Sequence, residues 1–144
     1  MLEIKLVFEA EEFDPENPTG DIQITDGTNT IWQEHVYLDS WLDALISGLK
    51  EVEAGRSVSV DLVEEPDPLV LQPEHGGMKL TYAETTLYVN SIADFRQTLT
   101  RAGIDFLDQL HTVDEATDTE LLNTIRTFVK NEVAGSRLTT PETG

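Results

Sequence analysis

The sequence predicts an α+β fold, a mostly antiparallel sheet of about six or seven short strands in the order βββ-α-ββββ-αα with helices packed on one face. Three observations carry this. Short apolar segments alternate with a period of two, as half-buried strands do. Connections between them are short and rich in turn residues, which joins neighbours antiparallel. Three longer segments repeat apolar residues at steps of three and four, the spacing of a helix with one greasy stripe.

Taken in order, Leu2, Ile4, Leu6 and Phe8 alternate with Glu3, Lys5 and Val7, giving the first strand. The segment 10–20, AEEFDPENPTG, is acidic and carries two prolines, so it reads as an exposed loop. Ile22 and Ile24 make a second strand, Asp26-Gly27 marks a hairpin turn, and TIWQEHVYL at 30–38 returns as the third. Asp39 and Ser40 offer an N-cap for a helix whose stripe is Trp41, Leu42, Leu45, Ile46, Leu49 and Val52, with Gly55 at its stop. Gly48 inside it costs about 1 kcal/mol relative to Ala, a sign of close packing against a strand.

Val58, Val60 and Leu62 alternate again before prolines break the pattern at 66 and 68. Leu69 to Leu71, Met78 to Tyr82 and Thr86 to Val89 supply three more strands, with the turn QPEHGG after the first of them. The clearest helix spans 90–110, with Ile92, Phe95, Leu99, Ala102, Phe106 and Leu110 on one stripe and Ser91 with Asp94 near capping-box spacing. The sheet needs that stripe as its cover. Thr117 with Glu120 repeats the capping spacing for a last helix, Leu121 to Val133, closed by Gly135. The domain then spans 1–135, and 136–144 reads as a flexible tail.

The chain has 144 residues, 39% of them hydrophobic, enough for one domain with a real core. It has no cysteine, which excludes disulfides, thiolate metal sites and a cysteine nucleophile. The first residues have an acidic flank and a short apolar run, unlike a signal or transit peptide, and no window nears the roughly 18 apolar residues of a membrane span. The expectation is a cytoplasmic protein without membrane attachment.

Net charge is −19, and residues 1–70 hold 17 acids against 3 bases. Such a field repels nucleic acid and anionic lipid and steers basic partners inward.

The search for chemistry is mostly negative. No Gly-x-Ser-x-Gly elbow, Walker A loop or Gly-x-Gly-x-x-Gly occurs, and His75-Gly76-Gly77 reads as a turn rather than an oxyanion loop. Neither His-x-x-x-His nor Glu-x-x-His falls on a predicted helix, and Asp14, Glu16, Asn17 and Asp21 lack a calcium-loop register. We therefore expect no catalytic, metal or cofactor-binding residue. With 28 acids, chance proximity of carboxylates has no specificity for glycosidase-type chemistry. Nine scattered bases give no nucleic-acid patch.

Surfaces remain. Trp32, Tyr37 and Trp41 fall within ten residues, and aromatic residues are enriched at interface centres. Glu34, Asp39 and Asp43 would supply an acidic rim for Arg and Lys on a partner, so the candidate contacts are Trp32, Glu34, Tyr37, Asp39 and Asp43. Trp41 and one face of the strand read more readily as core than as contact surface.

The Asp-Ser-Trp-Leu helix start at 39–42, Glu-Glu-Pro at 64–66 and Ala93-Asp94-Phe95 resemble, in layout over about residues 1–110, small acidic α+β proteins of bacteria, some of them immunity proteins of polymorphic toxin systems. That resemblance implies a non-catalytic inhibitor that occludes a basic partner by charge and shape, and carries over no catalytic residue. Two alternatives stay open. One is a small enzyme or ligand-binding domain using His35 or His75 beside a buried carboxylate. The other is a structural subunit that forms a homodimer through the last helix.

Overall fold

The first helix is the hub of the molecule. In the computed structural model, which describes residues 2–8, 18–63, 65–111 and 119–139 (His111 and 133–139 by backbone only), α1 (Leu38–Glu53) touches both sheets and both other helices. Its stripe of Trp41, Leu42, Leu45, Ile46, Leu49 and Val52 is buried throughout. The sequence gives the central role to α2 (Ile92–His111), which instead covers the outer strands β1 (Glu3–Phe8) and β7 (Thr85–Val89). The difference lies in apolar width: α1 is greasy on several sides, α2 on one.

The fold is α+β, with the element order read from the sequence, but the seven strands of the described residues form two sheets rather than one. Strands β1, β2 (Thr19–Thr25) and β3 (Thr30–Tyr37) pair antiparallel in that order. Strands β4 (Val58–Val60), β5 (Leu69–Glu74), β6 (Gly77–Tyr82) and β7 make a second antiparallel meander. Inward residues follow the two-residue period: Leu6, Ile22, Ile24 and Ile31 in the first sheet, Leu69, Leu71, Leu80 and Leu87 in the second. The helices lie on these inner faces, and Phe8 stacks on Phe106 with ring centroids 5.4 Å apart.

The helix ends show which local signals prevailed. Ser91 caps α2 as expected, its hydroxyl accepting the Asp94 N–H at 3.3 Å. Helix α1 closes in a Schellman motif, with Gly55 at φ 81° and the Arg56 N–H on the Glu51 carbonyl. It does not open on Asp39 or Ser40. Tyr37 is its N-cap and makes no side-chain cap; the Leu38 N–H goes to the Pro18 carbonyl and the Ser40 N–H to the Asp39 carboxylate, both at 2.9 Å. The Ser40 hydroxyl accepts the Val63 N–H instead of capping the helix.

Helix α3 (Glu120–Thr139) is capped by Thr119, whose hydroxyl accepts the Leu122 N–H, and it runs through Gly135 to residue 139. One interior glycine, at about 1 kcal/mol, does not stop a helix of twenty residues. The loop acids Asp14 and Glu16 with Asn17, the connection holding Thr117, Glu64 and the end of the tail at 140–144 lie outside the described residues.

Arg96 holds the three helices together. From α2 its guanidinium meets Glu53 of α1 through two nitrogens and Glu132 of α3 through a third. Both carboxylates push its pKa up further, Glu53 foremost, so the charge is permanent. Glycine at two positions allows the helices close approach: Gly48 faces Leu71 of β5, and Gly103 of α2 faces Val129 of α3.

Candidate functional site

The residues proposed as contacts stand on one continuous piece of chain, from β3 into α1, but do not share one surface. Trp32 lies on the helix-free face of β3 and is 45% exposed. Glu34 and His35 together oppose Asp21 of β2 in a β-bulge. His35 sits there at φ 56°, its N–H on the Asp21 carboxylate at 3.3 Å. The bulge restores the register, so Val36 is buried and Tyr37 half-buried where the chain turns into α1.

Asp39 is only 4% exposed, and it lies in the interior rather than on an acidic rim. Burial pushes its carboxyl up to about 6, against the downward pull of the backbone N–H groups of Ser40 and of Asp39 itself. Nearby Asp43 adds to the upward push. Asp43 is half-buried too and raised by desolvation; Lys50 pulls it down and Glu120 of α3 pushes it up. It thus faces α3, not the side that presents Trp32. Trp41 is core: 1% exposed, its ring centroid 4.9 Å from that of Tyr82. Its indole N–H has no hydrogen-bond partner among the described residues.

Tyr88, absent from the sequence reading, is 56% exposed on the helix-free face of β7. Its signal was available, since Leu87 and Val89 point inward and period two turns Tyr88 outward. The strands of Trp32 and Tyr88 lie side by side. The β2–β3 turn bridges them: Asn29 Nδ2 donates to the Thr86 carbonyl, and the Asp26 carboxylate accepts the Tyr88 N–H. Together these strands carry two exposed aromatic residues with Glu34 and Glu84 exposed nearby in sequence.

The histidines stand apart. His75 is exposed at the tip of the β5–β6 hairpin, where positive φ at His75 and Gly76 gives a type I′ turn. His35 is exposed in its bulge. Among the described residues, no group of three or more His, Asp or Glu is placed to hold a metal ion, and no helix is long and apolar enough to cross a membrane. A groove of about 520 Å³ runs beside α3, with Lys50 and Arg96 facing Glu120 and Glu132. The apolar residues Leu122, Ile125 and Phe128 of α3 are buried within the chain, so they offer a dimer no exposed stripe.

No protein-family model matches the chain, and no curated protein or solved structure matches it at a significant level.

Proposed function

We propose that this chain is a non-catalytic, acidic protein-binding module of the bacterial cytoplasm, an immunity-type inhibitor that sequesters a basic partner protein. One observation carries the reading: Trp32, a large aromatic at 45% exposure, stands on the helix-free face of β3 beside Glu34, with Tyr88 on the adjoining strand, in a chain of net charge −19. An exposed tryptophan is the side chain most often found at the energetic centre of an interface, and surrounding acids complement Arg and Lys. Asp39, being buried, has no part in this surface; Trp32, Glu34 and Tyr88 form its centre.

The test is capture on the immobilised protein from lysate of the source cell at low salt, followed by a salt gradient. The reading expects a basic protein that elutes as salt rises. Replacing Trp32→Ala should weaken that complex at least tenfold, about 1.4 kcal/mol or more. Because Trp41 is buried, the change in indole fluorescence on binding should come from Trp32 and vanish in the same variant. A column that retains no basic protein, or one that retains it equally well with W32A, would overturn the proposal.

A further inference from the structure

The geometry points to a second copy of this chain as the occupant of the open edge of β1, in a two-fold dimer whose axis passes beside Ile4. Strand β1 ends its sheet, and among the described residues no strand pairs with its outer side. The Val7 carbonyl abuts Gly20 of β2, whereas the Leu2 carbonyl takes the Thr98 hydroxyl of α2 at 3.4 Å. Backbone groups alternate in direction along a strand, so the odd residues of β1 serve β2, and Ile4 and Leu6 turn their N–H and C=O groups to the free edge. Unpaired groups of this kind are a template for another strand.

The charges on that edge are self-complementary. An antiparallel pairing centred on Ile4 places Ile4 opposite its own copy as a hydrogen-bonded pair, and sets Glu3 against Lys5 of the second copy and Lys5 against its Glu3. The same groove, about 280 Å³, is walled by Asp94, Gln97, Thr98 and Arg101, spaced along one face of α2. A two-fold axis perpendicular to the joined sheet lays α2 antiparallel to its copy on the same side. Reflecting that face about the point between Gln97 and Thr98 brings Asp94 to Arg101 of the second copy. Strand and helix are thus each charge-matched to themselves, with Thr98 of the helix face against Leu2 at the start of the strand, and Lys5 and Arg101 balance Glu3 and Asp94 within a strongly acidic molecule. Half-buried Ile4 is the apolar centre.

Charge reversal tests the pairing directly, by sedimentation equilibrium on the full chain with a cooperative melt as the control for folding. The wild type should reach twice the chain mass of 16.1 kDa in the micromolar range, and more readily as salt screens the overall repulsion. E3K and K5E should each weaken self-association at least tenfold, although E3K brings the chain two charges closer to neutrality. An equimolar mixture of the two, and the double variant E3K/K5E on one chain, should both restore the dimer, because opposite charges face each other again. A wild type that stays at the monomer mass, or a dimer indifferent to the mixture, overturns the inference.

Discussion

The carboxylate of Asp26 accepts the backbone N–H of Tyr88 at 3.0 Å, across 62 residues of chain, and ties the turn of one sheet to the last strand of the other. The same carboxylate accepts the N–H groups of Thr28 and Asn29, both at 2.7 Å. Asn29, on the same turn, donates to the Thr86 carbonyl. Side chains here fill the backbone positions that a neighbouring strand would occupy. The edge of β7 is thereby covered without a ladder.

Asp26 should therefore be a pH-dependent stabiliser. Partial burial raises its carboxyl, but the N–H groups of Asn29, Tyr88 and Thr28 outweigh that and hold it below the ordinary 3.8. A depressed acid stabilises the folded state above its unfolded value, and the contribution disappears as pH falls through the folded one. We expect Asp26→Ala to cost about 0.5–1.5 kcal/mol in urea unfolding at pH 7, since these bonds lie at the solvent-exposed surface, with the difference from wild type shrinking toward pH 3.

Asp39 has the opposite sign. Its carboxyl is raised from 3.8 to about 6, so the folded chain binds a proton that the unfolded chain releases between those values. Ionised Asp39 thus opposes folding above pH 6, by about 1–3 kcal/mol, and ceases to do so near pH 4. The variant Asp39→Asn should be more stable than wild type by that amount at pH 7.5 and nearly equal to it at pH 4, measured as paired urea midpoints.

A related gain should come from Ala83, which sits at φ 53° as the first residue of the two-residue turn between Tyr82 and Thr85. Positive φ at that position alone is the type II′ pattern, where glycine is preferred, and an L-residue is strained by about 1 kcal/mol. Ala83→Gly should raise unfolding free energy by about 0.5–1 kcal/mol after its larger entropy loss. A lowered melting temperature would refute the strain.

The parts of this fold legible in the sequence are those set by neighbours along the chain. Period-two alternation marked β1, β4 and β6, turn signals and short apolar runs marked the other strands, and Ser91 announced the start of α2, because those forces act within a few residues. The division into two sheets rests on Asp26 and Asn29 reaching β7, contacts with no periodic trace. Helix α1 starts before the cap signal at Asp39 and Ser40, where the Leu38 N–H meets the distant carbonyl of Pro18, a contact the local pattern does not show. Of the candidate surface, Trp32 was readable as an aromatic in an acidic stretch. The burial of Asp39 was not readable, since helix pattern alone does not say that α1 is covered on several sides.

The packing of α1 on β5 provides the last prediction. A Cβ at Gly48 would lie 2.5 Å from Leu71 Cδ1 and 2.6 Å from Cδ2, and Leu71 is wholly buried. Gly48→Ala should gain about 1 kcal/mol of helix propensity but lose about 1–3 kcal/mol to overpacking, a net destabilisation. Leu71→Ala removes the obstructing atoms and by itself costs about 2–5 kcal/mol. In that background the collision is gone and the propensity gain remains, so Gly48→Ala should become stabilising by about 1 kcal/mol. The sign reversal in a double-mutant cycle, read from urea midpoints, isolates the contact from the propensity. If Gly48→Ala has the same sign in both backgrounds, glycine is there for some reason other than the approach of Leu71.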